Sequence, residues 1–351
     1  MNILDEVYEV PAALLEIEDA RELYKIFPNP TLLYLEGHHE APLFVTVLLH
    51  GNEDTGLFAI QRILQKYQTH RLPRSLIVFF ANVTAAKAGM RRLDGQPDYN
   101  RIWPSGTETD TDEGKMIAKV VAKVVSHKPF ASIDIHNNTG KNPYYGCINT
   151  LDPDALYLAS LFSRIVVYFE NPKGVQSMAM AAHCPAITVE CGKPHLEQGF
   201  AHAAEFVDSM LHLSAFPQHA IHQESTVYHT TARVTIPDAY SFGFDREDVE
   251  IRLLPELEKD NFSELPTGTV FAYITEGSEA RFHAFDDEGV DHFERYFVVE
   301  GNKIKLKKPI MPSMITLDER VIRQDCLCYF MESIIPQKKE HDGFHYRLAS
   351  Y

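Results

Sequence analysis

Cysteine is scarce in this sequence: five occur in 351 residues, an odd number, and no CxxC pair is among them. That excludes a disulfide framework and fits a reducing, cytoplasmic setting. No apolar run approaches the roughly 20 residues that span a bilayer. The N-terminus carries acids early and lacks a basic stretch followed by an apolar one, so a signal peptide is not expected. Basic residues are outnumbered, 33 Lys and Arg against 49 Asp and Glu, for a formal charge of −16. Nucleic acid and anionic membranes are therefore excluded as main partners, since both are held by basic surfaces. Internal repeats and low-complexity tracts are also absent.

What is present describes an ordinary globular chain. Apolar residues make up 45% and charged residues 23%, enough for a large core with a normal surface. The length suits one large domain or two ordinary ones. Buried strands are expected at 43–49 (LFVTVLL), 75–80 (SLIVFF), 132–135 (SIDI), 165–169 and 186–189 (AITV). Between them lie helical patterns at 55–67, 112–126, 156–162, 175–182 and 200–213, the last with Phe200, Ala203, Val207, Met210 and Leu211 inward. Alternating strands and helices predict an α/β fold with a mixed, mostly parallel sheet covered by helices. After about residue 216 the helical periodicity fades. Short β-like runs follow at 232–236, 249–254, 270–274, 296–299 and 303–306, punctuated by Pro and Gly. This predicts a catalytic α/β domain over 1–215 and a smaller β-rich domain over 216–351.

Four segments place ionisable residues after buried strands or in a polar loop, and in open α/β sheets ligand sites form at the carboxyl ends of the strands. His50-Gly51-Asn52-Glu53 follows LFVTVLL, and an HxxE turn can aim an imidazole and a carboxylate at one ion. His202 and Glu205 repeat that spacing on the polar side of a helix, where ordinary surface is the expectation. Asp134-Ile135-His136 ends SIDI. His136 would complete a set of two His and one Glu, a common kind of catalytic zinc site, with Asp134 placed to orient its ring. Glu190 ends AITV; a carboxylate there is costly unless it is paired or functional, and a general base beside a metal is one such function. Finally, 90–104 (MRRLDGQPDYNRIWP) holds Arg91, Arg92, Asn100 and Arg101. Its arginines suit carboxylate binding or oxyanion stabilisation, or solvated positions on a loop.

HGNE at 50–53, R(x7)NR at 92–101, DIHNN at 134–138 and VECG at 189–192 together resemble the zinc carboxypeptidase superfamily, in its succinylglutamate desuccinylase/aspartoacylase branch. The resemblance covers roughly residues 40–215. It implies one Zn2+ per chain held by His50, Glu53 and His136, with Glu190 as general base and later proton donor. It implies that Asn100 and Arg101 grip a substrate carboxylate and that Arg92 stabilises the oxyanion. The interval from the first arginine to the NR pair is about one residue longer than in the desuccinylases, which leaves Arg91 competing with Arg92. The implied reaction is removal of an acyl group from a small N-acyl amino acid. The runner-up is a metallocarboxypeptidase trimming peptides, and a non-catalytic binding module on the same scaffold is the third reading. The oligomeric state stays open, a homo-oligomer included.

Overall fold

A computed structural model describes residues 4–217, 225–338 and 344–348. The chain forms two compact units. The first comprises residues 1–137 and 144–225, the second residues 138–143 and 226–351. The sequence reading divides the chain at 215/216. The contacts divide it at 225/226 and give the six residues after Asn137 to the second unit, a detail that no composition change announces.

In the first unit the described strands are β1 (Asp5–Val7), β2 (Thr31–Leu35), β3 (Gly37–Val47), β4 (Leu72–Phe80), β5 (Ala131–His136), β6 (Tyr145–Ile148), β7 (Ile165–Tyr168) and β8 (Ala186–Glu190). They lie in the order β1-β2-β4-β3-β5-β8-β6-β7. The four central strands, β4, β3, β5 and β8, are mutually parallel. β2 and β6 run antiparallel to their inner neighbours, which makes the sheet mixed. The central strands read as unbroken apolar runs because helices cover both their faces. The helices are α1 (Thr55–Lys66), α2 (Val83–Ala88), α3 (Asp112–Ser126), α4 (Pro153–Phe162), α5 (Gln176–Met180) and α6 (Glu197–His212).

The starts of these helices follow from local chemistry. Thr111 caps α3, its Oγ1 accepting from the Gly114 N–H at 3.0 Å, with Asp112 and Glu113 in the first turn. Asp152 caps α4, and Pro153 sits in the first turn, where its missing N–H costs nothing. The apolar stripe of α3, Met116, Ile117, Val120, Val121 and Val124, is buried as its spacing predicts. In α6 one expectation changes: Phe200 is only half-buried, its ring 4.9 Å from Phe58, because it closes the rim of the α1–α6 contact.

The second unit is rich in strands. β9 (Thr226–Thr235) pairs antiparallel with β17 (Cys328–Lys338), and β13 (His283–Phe285) pairs with the other edge of β9. β16 (Met311–Ser313) and β18 (Phe344–Leu348) also pair with β17. A five-stranded sheet runs β10 (Phe242–Phe244), β11 (Ile251–Leu253), β12 (Val270–Ile274), β15 (Lys303–Leu306), β14 (Phe297–Glu300). The two groups share a core in which the Phe330 ring lies 5.7 Å from Phe271 and 5.4 Å from Phe297. Tyr296 closes a one-turn helix, α7 (Phe293–Tyr296), and so is not the strand residue its sequence context suggests. A second short helix, α8, spans Glu319–Gln324. Among the described residues, no helix is long and apolar enough to cross a membrane.

Candidate metal centre and catalytic site

The site is assembled at the carboxyl ends of β3, β5 and β8, where the register aligns Val47 with Ile135 and Ile135 with Val189. β3 ends at Val47 and the chain turns through Leu48 at φ +59, a backbone region that strains a leucine. Gly51 is required in this turn. A Cβ there would stand 2.1 Å from the Ala86 backbone nitrogen, and its N–H donates to the Arg91 carbonyl at 3.1 Å. The turn delivers His50 and Glu53, and β5 delivers His136. All three are buried, and their donor atoms lie within 4.8 Å of one another.

Glu53 stands between the two rings. Its Oε1 is 2.8 Å from His50 Nδ1, and its Oε2 is 2.8 Å from His136 Nδ1. Oε2 also accepts from the Asn137 N–H at 3.1 Å. The outer ring nitrogens are held as well: His50 Nε2 lies 3.1 Å from Asp98 Oδ1, and His136 Nε2 lies 2.8 Å from Asp134 Oδ2. Burial pushes the Glu53 carboxyl up, but the two imidazoles outweigh it and hold Glu53 well below the usual range. Burial disfavours the charged form of His136, yet Asp134 and Glu53 raise it well above an ordinary imidazole.

This donor set fits a divalent cation. Two imidazole nitrogens and one carboxylate leave a coordination position open, as catalytic zinc requires. Each outer nitrogen keeps its proton on an aspartate, so in the neutral ring Nδ1 presents its lone pair inward. The raised His136 favours a proton on its ring, which metal binding would release.

Glu190 pairs in register with His136 on the neighbouring parallel strand and is 7% exposed. Burial pushes its carboxyl up to about 8. The adjoining thiols, Cys147 and Cys191, are buried and raised well above the ordinary thiol value, first by burial and then by Glu190, so they stay neutral.

The arginines divide. Arg91 reaches the cluster, its Nη1 3.7 Å from Glu53 Oε1 and its Nη2 3.3 Å from Asp98 Oδ2. Arg92 turns into its own loop, where Nη1 donates to the Gln96 carbonyl at 2.7 Å. Of the two arginines that compete for the oxyanion role, Arg91 is thus the one with an ion pair to the cluster. Asn100 is buried, and its Oδ1 has no hydrogen-bond partner. Arg101 donates from Nη1 to the Asn100 carbonyl at 2.7 Å. Their loop is anchored rather than solvated: Tyr99, Ile102 and Trp103 are buried, and the Trp103 Nε1–H donates to the Tyr99 carbonyl at 2.9 Å.

Asp98 is the residue that the sequence reading missed. Its Oδ1 receives both the Asn100 N–H, at 2.8 Å, and the His50 ring. Its only signal was its place in the same polar loop as the arginines. Asn137 was missed as well. Its Oδ1 accepts from the Thr55 N–H at 3.2 Å, and its Nδ2 donates to Thr55 Oγ1 at 2.8 Å and to the Gly192 carbonyl at 3.0 Å. His202 of the second HxxE pair is no ordinary surface residue. It is half-buried, with Nε2 2.9 Å from the Phe162 carbonyl and its ring stacked on Tyr144.

Comparison with known proteins places this arrangement. Solved structures similar in fold include a succinylglutamate desuccinylase from Vibrio parahaemolyticus, 16% identical, with 88% of this chain and 86% of that one covered at a TM-score of 0.58. Murine aminoacylase 3 is 17% identical, with 85% and 96% covered at a TM-score of 0.56. The chain thus shares the fold of these proteins. No curated protein matches the chain in sequence. Residues 42–214 match the succinylglutamate desuccinylase/aspartoacylase catalytic domain, and this region belongs to that family.

Proposed function

We propose that the protein is a zinc-dependent amidohydrolase that removes the acyl group from a small N-acyl amino acid. The observation that carries this reading is a buried carboxylate, Glu190, in register with His136 of a His2Glu cluster. The family, named for desuccinylases and aspartoacylases, supports it. His50, Glu53 and His136 would hold the zinc, which supplies Lewis acidity toward the scissile carbonyl and a lowered pKa for water.

The protein's own groups do the rest. Glu190 takes a proton from the attacking water and later passes it to the leaving amine. A positive charge in the adjacent cluster favours the ionised carboxylate that the first step needs. Arg91 donates to the carbonyl oxygen as negative charge develops there. Asn100 and Arg101 hold the substrate carboxylate, so the amide is placed before reaction. Asp98 and Asp134 fix the two ligand rings. Cysteine is scarce and odd in number, which supports a reducing, cytoplasmic setting.

A panel of N-acetyl and N-succinyl amino acids, run beside short peptides with and without chelator, tests the proposal. Hydrolysis of N-acyl amino acids that chelator abolishes is expected. Cleavage of peptides alone, or turnover indifferent to chelator, overturns it.

A further inference from the structure

Three polar residues form one row across the central sheet, beneath the metal cluster. Thr46 on β3 is in register with Asp134 on β5, and Asp134 with Thr188 on β8. Each interrupts an otherwise apolar run, and all three are buried. Alternation along the strands puts the row on the face that carries His136 and Glu190, two residues further on. Asp134 spends its Oδ2 on the His136 ring, at 2.8 Å. Its Oδ1 is buried and has no hydrogen-bond partner among the described residues, and the same holds for Thr46 Oγ1. Orphaned buried oxygens are costly and rare. Two of them at one level of adjacent strands are natural partners.

The other hydroxyl of the row is committed elsewhere. Asn149 Nδ2 donates to the Phe169 carbonyl at 3.1 Å, which leaves its Oδ1, an acceptor only, facing Ser177. Ser177 therefore donates to Asn149, at 2.8 Å, and Thr188 donates to Ser177, at 2.9 Å. A hydroxyl has one proton, so that of Thr188 is turned away from Asp134. Thr46 keeps its own. Neighbouring strands lie about 4.8 Å apart. A threonine and an aspartate close that gap directly after a turn of χ1, or with one buried water between them.

We propose that Thr46 is a positioning residue for the metal site. Its hydroxyl holds the second oxygen of Asp134, and Asp134 so held keeps the His136 ring in the orientation a cation needs. This rests on the reading of His50, Glu53 and His136 as metal ligands above. The row is then unequal about its centre: the hydroxyl on β3 serves the ligand, and the one on β8 serves the packing of α5. Chelator competition with Zn2+ reads this on the protein itself, without substrate. Thr46→Val, which replaces the hydroxyl by a methyl of like size, should weaken Zn2+ affinity by roughly 3- to 10-fold, less than the loss of a ligand's direct partner. Thr46→Ser keeps the hydroxyl and should match the wild type. Thr188→Val should leave Zn2+ affinity unchanged and lower the thermal midpoint, because it cuts the bond to Ser177.

Thr46→Ala is the second variant if Thr46→Val fails to fold, and it should weaken Zn2+ affinity at least as much. Wild-type affinity in the Thr46→Val protein overturns the inference. An equal loss in Thr188→Val, or a Thr46→Ser protein as weak as Thr46→Val, overturns it too, since either would tie the effect to packing and not to the hydroxyl. A wild-type protein that takes up no divalent cation instead overturns the metal reading, and the inference falls with it.

Discussion

The two ends of the central sheet bury charge in opposite ways. At the carboxyl ends of β3, β5 and β8, Glu53, Asp134 and Glu190 are buried, with Asp98 close by, and two imidazoles and Arg91 stand against them. At the opposite end, near the start of β4, a lone arginine is buried. Arg74 is 2% exposed, donates to the carbonyls of Ala41 at 2.8 Å and Leu213 at 2.7 Å, and lies 3.6 Å over the Phe130 ring. Leu213 caps the C-terminus of α6, whose dipole favours a cation. Carbonyl dipoles and a ring face surround that guanidinium, whose Nε alone is left without a partner among the described residues. At the acidic end two imidazoles and a carboxylate converge instead, a donor set with a coordination position left open. A buried charge with fixed dipoles around it is architecture; converging titratable groups make a candidate site.

Glu190→Gln presses hardest on that contrast. Turnover should fall by at least about 1,000-fold with metal retained, as read from single-substrate kinetics and metal analysis. The same substitution should stabilise the metal-free protein. The folded state raises the Glu190 carboxyl from 4.5 to about 8. Its contribution to stability is therefore complete below pH 4.5 and is lost as pH rises toward 8. At pH 7 the chelated variant should exceed the chelated wild type by up to ~3 kcal/mol in urea unfolding. Equal stability would show that burial does not strain this carboxylate.

Asp98→Asn should weaken metal affinity by roughly 10- to 100-fold in a chelator competition, since a brace on the His50 ring is lost while the ligands stay. Wild-type affinity would make Asp98 a bystander. The smallest effect is expected at the other end. Arg74→Met keeps the apolar stem against Phe130 and loses two hydrogen bonds. It should cost about 1–2 kcal/mol in thermal unfolding and leave metal content and kcat unchanged. A drop in kcat would mean that the two ends are coupled.

The parts of the site that could be read in the sequence are those ending apolar runs. LFVTVLL, SIDI and AITV announce buried strands, so the polar residues after them stood out. Asp98 and the choice between Arg91 and Arg92 lay in a loop, where no periodicity records which way a side chain turns. β2 and β6 are short strands whose pairing is tertiary, and local pattern does not reveal them. The transfer of residues 138–143 to the second unit was invisible for a related reason. The Asn261 side chain donates to the Lys141 carbonyl from more than a hundred residues away, and an asparagine reading backbone atoms leaves no local trace.

One carboxylate joins the turn of Asn100 and Arg101 to the His50 ring. Asp98 braces the ring of His50 with the same oxygen that receives the amide of Asn100, one residue before Arg101. A tug on that turn is thus a tug on the imidazole. If that turn holds a guest's acid group, as proposed, a firmly seated guest would stiffen the ring, and one lacking the group would leave it looser.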